Sequence, residues 1–171
     1  MTMCTDPFQL VAALTDSTRR YPSFAELVEL GHQSLPALRQ GLKSEDWQVR
    51  KWCAMCLDQV ADTESLMDLL PLFTDPRADV RLWAVHSIAC DHCKEDVHCH
   101  TDLVPHLVER IENDESIRVR KMATIMLGTE FLDSRTGPVF QRLLDTETDR
   151  KIRLHAEAGL NRLRQAGLAE G

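Results

Sequence analysis

One short pattern recurs four times in this chain of 171 residues and constrains its fold more than any other feature. In its clearest copy, Val80-Arg81 is followed by Ala84 and then by Ser87-Ile88. The shared formula is a β-branched residue, Arg, two free positions, a small residue, two free positions, and a small or flexible residue before Leu or Ile. The other copies begin at Val49, Val119 and Ile152. Successive copies start 31, 39 and 33 residues apart, and a period of about 30 to 40 residues with helical patterning predicts a stacked α-solenoid.

Composition supports helices and narrows the classes of function. Aromatic residues make up 5% of the chain, and no long run alternates β-branched with polar residues, which argues against a sheet protein. The net charge is −7, which makes nucleic-acid binding unlikely because neutralising phosphates needs clustered cations. The first residues lack the pattern of a secretory signal, and no apolar run is long enough to span a membrane. We therefore expect a cytoplasmic protein with reduced cysteines.

The apolar stripes predict an N-terminal helical cap followed by four helix pairs. The cap covers about 6–31, and the pairs cover about 34–58, 64–90, 101–128 and 134–164. We expect a right-handed α-solenoid that occupies residues 1–171 as a single domain.

These repeats resemble the HEAT-repeat family over roughly residues 34–164, in the form of bacterial HEAT-like repeat proteins and of the repeats related to phycobilin lyases. Besides the recurring pattern, an Asp precedes each second helix: Asp46, Asp75, Asp114 and Asp149. The repeated arginines are Arg50, Arg81, Arg120 and Arg153, and we expect them to pair with the Asp residues of neighbouring repeats. The resemblance implies a concave face, lined by second helices, that binds a protein partner.

The middle spacing is six to eight residues longer than the other two, and the excess falls in a Cys/His-rich insertion over 90–100. Three of the six cysteines and three of the seven histidines lie in this segment. A solenoid needs no such loop to stack, so the composition indicates a zinc site between the second and third repeats.

The ligands predicted for this site are His86, Cys90, Cys93 and Cys99. Cys90 and Cys93 have the usual spacing of a thiolate pair, and Cys99 follows in the same segment. His86 lies one helical turn before Cys90 and therefore on the same face. The alternatives to His86 are His100, His98 and His92, in that order.

Four protein ligands would leave no open position, which is typical of a structural zinc rather than a catalytic one. Thiolate ligands favour zinc over magnesium or calcium, with a mononuclear iron as the alternative. The segment is also compatible with a polar loop or with a redox pair formed by Cys90 and Cys93. Another CxxC pair, Cys53 and Cys56, occupies small positions of the repeat and is expected to pack in the core.

Three residues are predicted to bind the partner: Trp52, Trp83 and Lys121. Trp52 and Trp83 hold the same place in successive repeats, where they either line one face of the solenoid as binding anchors or pack between neighbouring helices. Lys121 belongs to a set of basic residues on the later second helices. This set either binds an acidic peptide or a phosphate backbone, or forms a solvated helix face.

The function expected from these features is a protein–protein interaction scaffold with a structural zinc site. One alternative is a HEAT-like enzyme or accessory, similar to phycobilin lyases or to alkylpurine DNA glycosylases. The glycosylase alternative would require a basic groove, which the net charge disfavours. A second alternative is a thiol- or metal-dependent sensor, in which loss of the metal changes partner binding.

Overall fold

All the regular structure in the described residues, 6–94 and 97–169 of the computed structural model, is helical. Its α-helices are α1 (Pro7–Ala13), α2 (Arg20–Glu29), α3 (Leu35–Gly41), α4 (Trp47–Val60), α5 (Thr63–Met67), α6 (Ala78–Ala89), α7 (Val104–Asn113), α8 (Ile117–Glu130), α9 (Gly137–Thr146) and α10 (Arg150–Gln165). None of them is long and apolar enough to cross a membrane. The predicted all-α solenoid is confirmed. Residues 95–96 of the insertion, and the chain ends 1–5 and 170–171, lie outside the description.

The chain forms two compact units, Met1–His100 and Thr101–Gly171. The first contains α1 to α6 and the second contains α7 to α10. Their boundary coincides with the end of the predicted Cys/His-rich insertion. A single domain over 1–171 stays a prediction.

In the first unit, α4 packs against both α3 and α6, while α1 and α2 pack on each other and on this stack. These two helices lie in the part of the chain that is predicted to be the N-terminal cap. Leu38, Leu57 and Leu66 form part of the core and are fully buried. Small residues allow the close approach: an added Cβ at Gly41 would lie 2.4 Å from the Cys53 Sγ.

In the second unit, α8 packs against α7 and α10, and α10 also packs against α9. Its core includes Leu107, Leu127 and Phe140, all fully buried. The Phe140 ring lies against Gly159, where an added Cβ would be 2.7 Å from its Cζ.

The predicted Asp is the N-cap of α4 and α10, and it lies two residues before the N-cap of α6 and α8. The Oδ1 atoms of Asp46, Asp75, Asp114 and Asp149 each accept a hydrogen bond, at 2.8–2.9 Å, from the backbone N–H two residues later. For Asp46 and Asp149 this bond satisfies a donor that the first helical turn leaves free. For Asp75 and Asp114 it holds the N-cap residue in the turn that leads into the helix.

The repeated arginines bind the chain that leads into their own helix. Each donates from Nη1 to the carbonyl oxygen six residues earlier, and these pairs are Arg50 to Ser44, Arg81 to Asp75, Arg120 to Asp114 and Arg153 to Glu147. The predicted pairing between successive repeats is confirmed for Arg50 and Asp75.

The first helix of the second pair is interrupted, although the apolar stripe of Leu66, Leu69, Leu70 and Phe73 predicts one helix over about 64–73. The α-helix α5 ends at Met67, and Leu70–Thr74 forms a 3₁₀ turn. The reason is Pro71, which lacks the N–H that would bond to the Met67 carbonyl in a continuous α-helix.

Candidate metal centre

The candidate metal centre is built at the C-terminal end of α6. His86 lies in the last turn of this helix, and Cys90 is its C-cap, with its backbone N–H bonded to the His86 carbonyl at 2.9 Å. A 3₁₀ turn over Asp91–Cys93 then reverses the chain. One helical turn and one tight turn therefore bring an imidazole and two thiols to the same place.

The three side chains are close enough to share one ion. The ligand atoms of His86, Cys90 and Cys93 all lie within 4.8 Å of one another. The two Sγ atoms are 3.1 Å apart, and the Cys93 Sγ is 3.8 Å from the His86 Nε2. The structure thus brings together three of the four predicted ligands.

Asp58 of α4 lies against this cluster from the preceding repeat. Its Oδ2 is 3.5 Å from the His86 Nε2, and its carboxylate accepts a hydrogen bond from the Cys93 thiol. The residue is only 7% exposed, and its Oδ1 has no hydrogen-bond partner. A buried carboxylate is therefore directed at the thiols and the imidazole.

A buried lysine holds the turn in place. The Lys94 Nζ donates to the carbonyl oxygens of Ser87 at 2.6 Å and Cys90 at 2.7 Å, and it lies 4.0 Å from the Asp58 Oδ1. A cation at this position neutralises the partial negative charge at the end of α6. Sequence reasoning missed both Asp58 and Lys94.

Burial and the neighbouring groups shift the pKa values of two residues in the cluster. Burial alone would raise the pKa of Asp58, but the hydrogen bond and charge of His86, the Cys93 hydrogen bond and Lys94 hold it below its ordinary value. Burial, the bond to Cys90 and the Asp58 carboxylate raise the pKa of the Cys93 thiol to about 12. A bound metal ion would reverse the second shift, because a coordinating thiol loses its proton.

The structure does not bring Cys99 into this group. Its thiol donates to the Met67 Sδ at 3.5 Å, and Cys99 as a ligand stays a prediction. Two of the alternative histidines, His92 and His100, are exposed on the surface. The third, His98, is also exposed, with its Nδ1 3.5 Å from the Asp91 Oδ1.

The second CxxC pair lies in the core, as the sequence predicts. Cys53 and Cys56 are fully buried on α4. Burial raises the pKa of both thiols well above the ordinary value, so both stay protonated and act as small apolar residues.

Residues 9–89 match the family model for HEAT repeats. This part of the chain belongs to the HEAT-repeat family. HEAT repeats generally mediate protein–protein interaction, and their presence suggests a protein-interaction scaffold.

One similar solved structure is the crystal structure of an engineered protein from the Northeast Structural Genomics Consortium. It is 18% identical with a TM-score of 0.57, and the alignment covers 93% of this chain and 79% of that chain. At this identity the likeness shows the fold alone. No curated protein matches the chain.

The predicted partner residues are partly buried within their HEAT repeats. The Trp52 ring packs edge-on against Phe24 of α2 with centroids 5.4 Å apart, and the Lys51 Nζ lies 5.3 Å from the Trp52 ring centroid. Trp83 packs edge-on against the His86 imidazole at 5.5 Å. Lys121 is partly buried on α8. Partner binding by these residues stays a prediction.

Proposed function

We propose that this HEAT-repeat chain is a protein-binding scaffold whose first unit holds a structural zinc ion through His86, Cys90 and Cys93. The observation that carries the proposal is the convergence of their three ligand atoms within 4.8 Å. Two thiolates and an imidazole are ligands that zinc accepts in structural sites, and they disfavour magnesium and calcium. The ion would hold the end of α6 and the turn that follows it in one conformation.

The partner surface is proposed on the second helices, at Trp52, Trp83 and Lys121. Solenoids of this kind bind partners along the face that successive second helices present. Cations lie beside the aromatic rings of this region: the Lys51 Nζ is 5.3 Å from the Trp52 ring centroid, and the Arg77 guanidinium is 4.6 Å from the Trp47 ring centroid. Aromatic rings with adjacent cations suit a protein partner with acidic side chains. We also place the protein in the cytoplasm, because reduced thiols suit that compartment.

Metal content tests the zinc proposal. Full-length protein, purified under reducing conditions without added metal, should contain about one zinc per chain, and Cys90→Ser should lose it. Chelation should speed amide hydrogen exchange in α6 and the Asp91–Cys93 turn while leaving α9 and α10 unchanged, since stabilisation by a ligand is lost with the ligand. Folded, reduced protein that takes up no added zinc would overturn the metal site.

Affinity purification with a matched pair of variants tests the scaffold. Proteins recovered with the wild-type chain should be lost with Trp52→Ala and kept with Tyr21→Ala, because Tyr21 is an exposed aromatic residue outside the proposed surface. Equal recovery by both variants would remove Trp52 from the surface.

A thiol-dependent sensor is the second candidate, and the 3.1 Å separation of the Cys90 and Cys93 Sγ atoms favours it. In that case a mild disulfide oxidant would release the zinc and form a Cys90–Cys93 disulfide, and a reductant would restore the metal-binding form. A zinc ion that resists both the oxidant and strong chelators would identify a purely structural site.

A further inference from the structure

We infer that Asp58 supplies the fourth ligand of this metal site, in the place that the sequence predicts for Cys99. The ion would then join two successive HEAT repeats, because Asp58 lies on α4 and the other ligands lie on α6 and the turn after it. This inference rests on the zinc site proposed above.

The two distances from the His86 imidazole are close to those in a tetrahedral zinc site. With the usual Zn–N, Zn–O and Zn–S bond lengths, nitrogen and oxygen ligands lie about 3.4 Å apart and nitrogen and sulfur ligands about 3.6 Å apart. The corresponding distances here are 3.5 Å from the Asp58 Oδ2 to the His86 Nε2 and 3.8 Å from that nitrogen to the Cys93 Sγ. The two Sγ atoms need only move from 3.1 Å to about 3.8 Å.

The surroundings of Asp58 also require a partner for its carboxylate. The side chain is 10% exposed, and the Oδ1 atom is buried without a hydrogen bond, with the Lys94 Nζ at 4.0 Å. A buried carboxylate that lacks full hydrogen bonding is costly. Metal coordination compensates this cost, since carboxylate oxygens are accepted zinc ligands.

The formal charges favour Asp58 over Cys99. A zinc ion and the buried Lys94 ammonium carry three positive charges, and two thiolates with the Asp58 carboxylate carry three negative ones, so the site is neutral. Ligation by a third thiolate would add a negative charge while Asp58 remained beside His86. An uncompensated charge in a buried site is strongly unfavourable.

The Cys99 thiol already has a packing partner in the first unit. Neither Cys99 nor Asp58 belongs to the group of ligand atoms that lie within 4.8 Å of one another. The Asp58 Oδ2 nevertheless lies 3.5 Å from the His86 Nε2, whereas the Cys99 thiol packs against Met67 at 3.5 Å. To bind the ion, Cys99 would have to leave Met67.

The experiment compares metal binding by four full-length reduced proteins: wild type, Asp58→Asn, Cys99→Ser and the control Asp91→Asn. Asp91 is an exposed acid next to Cys90, so its variant reports the effect of losing a nearby carboxylate that is no ligand. Zinc affinity is measured by competition with a chelator, and cobalt spectra count the thiolates and report the ligand set. Circular dichroism of each metal-free protein checks that it is folded.

We expect Asp58→Asn to weaken zinc binding by more than about 100-fold, beyond the 10- to 100-fold range of outer-shell partners, and to change the ligand-field bands of cobalt. Cys99→Ser and Asp91→Asn should bind zinc within about twofold of the wild type, with the intensity of two thiolates. Loss of binding in Cys99→Ser with a three-thiolate spectrum in the wild type would overturn the inference, and so would an Asp58→Asn variant with an unchanged spectrum. Both results leave the zinc site itself intact, whereas a wild type that binds neither metal ends the zinc proposal.

Discussion

Arg50 binds Asp75 through two parallel hydrogen bonds, from Nε to Oδ2 at 2.6 Å and from Nη2 to Oδ1 at 3.0 Å. The same guanidinium donates from Nη1 to the backbone carbonyls of Ser44 and Glu45. It therefore links the start of its own helix α4 to the turn that opens α6. Arg50 therefore stabilises its own repeat through the backbone carbonyls and is joined to the next repeat by an ion pair.

Arg50→Ala should lower the free energy of unfolding by about 3 kcal/mol, the range for removing one partner of a buried ion pair. The side chains of Arg50 and Asp75 are only 12% and 4% exposed, so water cannot replace the lost bonds. Urea denaturation monitored by circular dichroism measures the change. The control is Arg142→Ala, which breaks the pair with Glu112 on a side chain that is 55% exposed, and it should cost less than about 1 kcal/mol. Equal costs for the two variants would contradict a special role for Arg50.

Gly159→Ala should destabilise the second unit by about 1–3 kcal/mol, the usual cost of overpacking a core. The added Cβ would lie 2.7 Å from the Cζ and 2.8 Å from the Cε2 of Phe140. Gly137→Ala is the matched control, because its Cβ would meet only ordinary contacts at 3.8 Å. It should be neutral or stabilising, since Ala favours helices over Gly.

A double-mutant cycle checks the stated cause. The cost of Gly159→Ala should shrink when Phe140→Leu is already present, because the smaller side chain leaves room for the Cβ. A cost that does not depend on residue 140 would show that the ring is not what excludes the methyl group.

The repeat architecture could be predicted because its signals are local and occur four times. Three signals recur: the Asp before each second helix, the Arg in its first turn and the small residues of the core. All of them make contacts within one helix or between adjacent helices. The one misjudged element, α5, shows how a single Pro71 overrides an apolar stripe that reads as one long helix.

The candidate site was predictable only where its ligands are neighbours in the chain. His86, Cys90 and Cys93 follow from helical and CxxC spacing, whereas Asp58 reaches them only through the packing of α4 on α6. A signal existed, because the positions that correspond to Asp58 in the other repeats are Ala89, Gly128 and Asn161. A carboxylate next to the core leucine of a second helix needs a partner. Nothing in the sequence predicts that Lys94 is buried, since a lysine in a polar loop is usually solvated.

Stability should fall above pH 9 because of the core thiols of Cys53 and Cys56. Burial raises the pKa of both above the ordinary value of 9.0, so the folded chain keeps these protons while the unfolded chain loses them. The unfolded state then binds fewer protons, and each thiol lowers the free energy of unfolding by about 1.4 kcal/mol per pH unit. Below pH 9 both states are protonated and the effect vanishes.

Urea denaturation between pH 8 and pH 11 tests this slope against a Cys53→Ala/Cys56→Ala double variant. The double variant changes the intercept through altered packing, but its slope above pH 9 should be shallower. Identical slopes in the two proteins would show that these thiols ionise in the folded state as readily as in the unfolded one.

Lys94→Met should destabilise the metal-free protein by about 2 kcal/mol. Methionine fills a similar volume but leaves the Ser87 and Cys90 carbonyl oxygens without their ammonium donor, and a buried acceptor without a partner costs about 1–3 kcal/mol. The same change should weaken zinc binding, because the site of His86, Cys90, Cys93 and Asp58 would lose its compensating positive charge. Thermal unfolding in the presence of a chelator measures the first effect, and zinc competition measures the second.

Lys43→Met is the control, since Lys43 is exposed in the turn before α4 and its replacement should change stability by less than about 0.5 kcal/mol. A Lys94→Met protein as stable as the Lys43→Met protein would mean that the turn after α6 is held without this ammonium.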